Sequence, residues 1–87
     1  MPGNAGVLDT LGWIHYHKKE YGKALKYLKE SEKVNPLNPT VIYHIGLTYL
    51  AVGEKDKSHV YMEKALKIND QFEGAEKAKE ILSNKKS

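Results

Sequence analysis

Apolar residues along this chain recur at helical spacing, and no segment alternates as a half-buried strand would. Val7, Leu8, Leu11 and Ile14, with Tyr16 close by, fall on one stripe at i, i+3, i+4 and i+7. Ala24, Leu25, Leu28 and Ser31 form a second stripe, Val41, Ile42, Ile45 and Tyr49 a third, and Ser58, Tyr61, Met62, Ala65 and Leu66 a fourth. A fifth carries Ala75, Ala78, Ile81 and Leu82, with Lys77, Lys79 and Glu80 around them. The punctuation between stripes agrees. Asn38-Pro39 reads as an N-cap followed by proline at the first helical position, where a missing N–H costs nothing. Gly53 stands where a helix would end in a left-handed residue. Asp70-Gln71-Phe72-Glu73 reads as a capping box opening the last helix. Together these signals predict helices over 5–18, 21–34, 39–52, 55–68 and 71–83, and an all-α fold.

Sliding the sequence along itself exposes a duplication. Gly12 and Gly46 stand 34 residues apart, and at that offset Pro2 meets Pro36, Asn4 meets Asn38 and Val7 meets Val41. Glu20/Glu54, Lys23/Lys57, Tyr27/Tyr61, Lys33/Lys67 and Asn35/Asn69 are further identities. The conservative pairs are nearly all apolar or small: Leu8/Ile42, Leu11/Ile45, Ala24/Ser58, Leu28/Met62, Ser31/Ala65 and Val34/Ile68. A shared packing position demands residues of that kind. Glycine inside a helix costs about 0.5–1 kcal/mol relative to alanine. Its recurrence at Gly12 and Gly46 therefore calls for close helix approach, at Ala24 and Ser58.

These residues resemble tetratricopeptide repeats, 34-residue helix–turn–helix units. The first copy supplies Leu11-Gly12, Tyr16, Tyr21, Ala24, Leu28, Ser31 and Pro36. The second supplies Ile45-Gly46, Tyr49, Ser58, Met62, Ala65 and Asp70, with aspartate in place of the closing proline. His15 stands where the family prefers tyrosine, and Ser58 where it prefers alanine. The resemblance covers residues 2–70 and implies a right-handed superhelical solenoid of antiparallel hairpins. It divides a single domain, 1–87, into one repeat at about 5–36, a second at about 39–70, a capping helix at about 71–83 and a disordered basic tail at 84–87. Met1 to Ala5 align with the inter-repeat loop Asn35–Pro39. The sequence is therefore expected to be the C-terminal part of a longer array, of a wording common in bacterial proteins. Val7, Leu11 and Ile14 would then lack a neighbour, and self-association through the uncapped first helix is expected.

Composition narrows the function. The 87 residues contain no cysteine, so neither a disulfide nor a thiolate metal site is available. All fourteen basic residues are lysines, and setting aside Lys85 and Lys86 leaves twelve against eleven carboxylates. An isoelectric point near 9.0 thus reflects the tail and not a basic face. Without arginine or a one-sided basic surface, nucleic acid is not the expected partner. A weak binder of nucleic acid or acidic surfaces through Lys18, Lys19, Lys23 and Lys26 stands as a further alternative. No apolar run is long enough to span a membrane, and the opening residues lack a basic segment followed by an apolar one. His15 and His17 lie two apart on one helix and point to different faces, while His44 and His59 belong to the other repeat. No metal and no cofactor are expected. Serines occupy packing positions or the tail, and neither a nucleophile elbow nor a phosphate loop is present. An enzyme is not expected.

What remains is binding. In the family that the sequence resembles, the first helix of each repeat lines an inner concave face where partner peptides lie. The alignment then assigns Asp9, Trp13, Tyr16 and His17 to that face from the first copy, and Tyr43, Leu47, Leu50 and Ala51 from the second. Trp13 and Tyr43 are the aromatic anchors, since aromatics offer large contact area at low entropic cost. Packing between stacked helices is the competing role for Trp13 and the favoured one for Tyr16. Some family members grip a C-terminal carboxylate with lysine, arginine and asparagine. The equivalent face here offers Asp9, Trp13, Tyr43 and Leu47, so that activity is not supported. The expected function is a scaffold or adaptor role, binding a partner protein's peptide or helical segment. Homo-oligomerisation is the first alternative.

Overall fold

The computed structural model describes residues 4–84. Met1 to Gly3, in the expected linker, and Lys85 to Ser87, in the expected tail, lie outside them. Among the described residues five helices follow in order: α1 (Ala5–His17), α2 (Tyr21–Val34), α3 (Pro39–Ala51), α4 (Lys55–Ile68) and α5 (Ala75–Ser83). Among the described residues there is no strand, and no helix is long and apolar enough to cross a membrane.

The duplication is visible in the local chemistry. Asn4 accepts a hydrogen bond from the Val7 N–H at 3.0 Å, and Asn38 accepts from Thr40 at 3.0 Å and Val41 at 3.4 Å. Each asparagine thereby satisfies donors that a helix start leaves open. The turn after each first helix also repeats. The Glu20 N–H reaches the His15 carbonyl at 2.9 Å, and the Glu54 N–H reaches Tyr49 at the same distance. Both turns need one left-handed residue. Gly53 supplies it at φ +85° as expected, but the first copy uses Lys19 at φ +64°.

Packing explains the two helical glycines. A β-carbon on Gly12 would lie 2.6 Å from Leu28 Cγ, and one on Gly46 would lie 2.8 Å from Met62 Cε. Helices α1 and α2, and likewise α3 and α4, close against each other at those points. At the far end of the first hairpin the Ser31 hydroxyl donates to the Ala5 carbonyl at 2.9 Å.

The hairpins then stack. Ala24 and Leu28 of α2 are buried against Val41, Ile45 and Tyr49 of α3. A second cluster joins Ile42, Met62 and Ala65 to Phe72, Ala75, Ala78 and Ile81, so α5 seals the second hairpin. Full burial of a leucine or isoleucine such as Leu28 or Ile45 contributes about 1.5–3 kcal/mol. Across the same junction Lys64 Nζ meets Glu32 Oε2 at 2.7 Å, and Lys29 lies over the Tyr49 ring at 5.2 Å. This bond to Glu32 crosses from one hairpin to the next, and α4 shows no ion pair along its own surface.

One boundary moved. Helix α5 begins at Ala75 and not at residue 71, with Gly74 as its N-cap and no capping side chain. The capping box at Asp70–Glu73 does not form. Asn69 Oδ1 instead accepts from the Gln71 N–H at 2.9 Å, and the turn that follows drives Phe72 into the core. Burying that ring outweighs one more helical turn. Gly74 is required for the close fit, since any β-carbon there would collide with the Tyr43 ring.

Candidate functional site

Helices α1 and α3 lie side by side and share a face rich in rings. Trp13, the single tryptophan, stacks on His44 at a centroid distance of 3.8 Å and 15°. It also stacks on Tyr16 at 4.7 Å and 5°, and meets the His17 ring edge-on at 4.6 Å. Asp9 stands one turn before Trp13, and His44 Nδ1 donates to its Oδ1 at 2.8 Å. A carboxylate acceptor makes this a charge-assisted bond, stronger than a neutral one. Asp9 and His44 are 35 residues apart, one repeat length plus one, so stacking brings them into register. His44 is thereby fixed from two sides, by Asp9 and by the indole.

Tyr43 belongs to the same side of the molecule. Its ring lies 6.0 Å from that of His44 and 5.5 Å from Phe72, edge to face with the latter. Burial pushes the Tyr16 hydroxyl above the ordinary phenol range, with Tyr21 adding to the shift and Lys77 opposing it. Burial likewise raises Tyr43, opposed by Lys77 and assisted by Tyr16. The two phenols and the ammonium of Lys77 thus share one electrostatic neighbourhood, to which α5 contributes the cation. Lys77 also reaches Glu80 at 3.1 Å and keeps more than half its side chain in water.

The structure divides the residues expected from the sequence into two groups. Asp9, Trp13, Tyr16 and His17 come together on α1, with Trp13 and Tyr16 half-buried and His17 exposed. Tyr43, Leu47 and Leu50 are also half-buried, but all three pack against the cluster that holds α5 in place. Ala51 is exposed at the end of α3. His44, Phe72 and Lys77 were not among the expected residues. For His44 the usable signal is the repeat length itself, because stacked first helices set residue i beside i+35. At the 34-residue offset Phe72 falls on Asn38 and Lys77 on Tyr43, so the duplication gives no signal for either.

The remaining histidines have structural partners or positions. His15 bonds to Glu20 at 2.7 Å and stacks on Tyr27, and His59 is buried. The His15 bond holds the Glu20 carboxyl below its ordinary range. Among the described residues no three of His, Asp and Glu gather as a metal site would require. Lys18, Lys19, Lys23 and Lys26 are exposed around the first turn.

The comparisons with known proteins agree with the duplication. Residues 5–38 match one family model of the tetratricopeptide repeat, and residues 39–72 match a second. No curated protein matches the chain.

Proposed function

Since the chain belongs to the tetratricopeptide repeat family, whose members mediate protein–protein interaction and scaffolding, we propose that its α1/α3 face receives a segment of a partner protein. The observation that carries this reading is the ladder of Trp13, His44 and Tyr16, held rigid by Asp9 while the tryptophan stays partly open to solvent. Rigid aromatics of this kind anchor interfaces because little side-chain entropy is lost when they are covered. Beside them Tyr16, Tyr43 and Lys77 offer hydrogen-bond donors to a carbonyl or carboxylate. A segment that sets an apolar or aromatic side chain against Trp13 and a hydrogen-bond acceptor beside Lys77 matches this surface. The role is that of an adaptor. The site contains no nucleophile–base pair, and the proposal includes no catalysis.

A pull-down with the wild-type protein and Trp13→Ala tests the assignment, with helicity checked by circular dichroism. Removing a central aromatic anchor costs about 2 kcal/mol or more, close to 30-fold in affinity. The expected result is loss of the captured partner with helicity retained. Undiminished capture by the variant would remove the α1/α3 face from consideration.

A further inference from the structure

Lysines from two different hairpins converge on one buried ring. The ammonium of Lys29, on α2, lies 5.2 Å from the centroid of the Tyr49 ring, and that of Lys57, on α4, lies 5.5 Å from it. Both lysines are exposed. The face of an aromatic ring attracts cations, which accounts for their approach, but it carries no net charge and leaves their mutual repulsion in place. Tyr49 holds the Lys29 ammonium above its ordinary range, with burial opposing and Glu32 assisting. Glu32 does not neutralise the pair, because its carboxylate is bound to Lys64 at 2.7 Å. Among the described residues neither Lys29 nor Lys57 forms an ion pair with a carboxylate.

The duplicate copy shows what this position accepts. Tyr49, Glu54 and Lys57 correspond there to His15, Glu20 and Lys23. The Glu20 carboxylate takes the bond from His15 at 2.7 Å, and Lys23 helps that bond to hold it below the ordinary carboxylate range. An anion thus sits against the ring residue, beside the lysine. The second copy keeps that lysine and gains another from the preceding hairpin. Its own Glu54, however, is exposed, and its carboxylate has no hydrogen-bond or ion-pair partner among the described residues. We propose that Lys29 and Lys57, held beside Tyr49, together bind one phosphate group, either free or carried on a partner's side chain. Two ammonium ions match the double charge of a phosphate, whereas a carboxylate would neutralise one of them. Lysine binds phosphate as a point charge on a flexible stem, so the two can close on the oxygens of a single group. The site uses none of the residues of the Trp13 face.

The test titrates inorganic phosphate into the whole chain at constant ionic strength and about pH 8, where a phosphate group carries two charges. Nuclear magnetic resonance follows the side chains of Lys29, Lys57 and Tyr49. Their signals should shift saturably, and chloride at the same ionic strength should leave them in place. Lys29→Gln and Lys57→Gln should each weaken binding roughly fivefold, as loss of one exposed ion pair allows. Lys79→Gln, on α5, should leave it unchanged. A phosphoserine peptide and its unphosphorylated form, titrated in parallel, distinguish the two sources. Tighter binding of the phosphopeptide than of phosphate assigns the site to a modified partner, and equal or weaker binding assigns it to free phosphate. Shifts that chloride reproduces, that fail to saturate, or that survive both lysine substitutions would each overturn the proposal. So would equal binding of the unphosphorylated peptide. Binding that appears only in Glu54→Gln would overturn it too, because Glu54 would then be the anion that the lysines hold.

Discussion

Lys19 and Ser58 each occupy a position that the other copy fills with a better-suited residue, so the chain contains its own controls. Lys19 holds a left-handed backbone at φ +64°, where its counterpart is Gly53. A side chain in that region costs about 1–2 kcal/mol through the clash of its β-carbon with the carbonyl. Part of this is offset in a glycine variant by the greater freedom of the unfolded chain. Lys19→Gly is therefore expected to raise stability by about 1 kcal/mol, read from the denaturation midpoint. Ser58 presents the complementary case. Its Oγ is buried and, among the described residues, is without a hydrogen-bond partner, whereas Ser31 donates to Ala5. A buried hydroxyl left unpaired costs about 1–3 kcal/mol. Ser58→Ala should stabilise the protein by about 1 kcal/mol, and urea unfolding measures it. An unchanged or lowered midpoint would mean that the hydroxyl is satisfied.

Between helices, the two glycine contacts look alike in sequence but differ in what surrounds them. At Gly12 a new methyl would meet the branched Leu28 Cγ at 2.6 Å and the Ala24 carbonyl at 3.2 Å. At Gly46 it would meet the flexible end of Met62, with the Ser58 carbonyl further off at 3.4 Å. Methionine repacks at small cost, and leucine at its branch point does not. Gly12→Ala should therefore destabilise by about 2–3 kcal/mol and Gly46→Ala by about 1 kcal/mol, measured by urea unfolding. Equal losses would contradict the packing described. How much of each helix was legible follows the same logic. Helices α1 to α4 were readable because the stripe period, the asparagine caps and Gly53 all act locally. The start of α5 was not. The Asp70–Glu73 spacing favours a helix, but burial of Phe72 beneath Tyr43 is decided by residues nearly thirty positions away. The binding face shows the same division. A 34-residue offset puts Trp13 and Tyr43 on one side, yet the spacing within one copy gives His44 no partner. Its pairing with Asp9 exists only once two copies stack.

Viewed together, the described residues form a stack 41 × 26 × 17 Å in extent, sealed at one end by α5 and open at the other through α1. Stability in such a stack comes from each hairpin covering the next. Two of its open surfaces differ in kind: a rigid aromatic face along α1 and α3, and an apolar groove between α1 and α2. Proteins of this kind take their function from such surfaces and not from the fold, which many members share. Trp13 is the only tryptophan in the chain, so its emission reports directly on the aromatic face. Tryptophan-free peptides selected from a random display library, titrated into the protein with fluorescence and calorimetry in parallel, give the most direct test. If the face receives partner segments, Trp13 emission changes saturably with the same midpoint that calorimetry gives. Calorimetric binding with unchanged Trp13 emission would contradict the assignment.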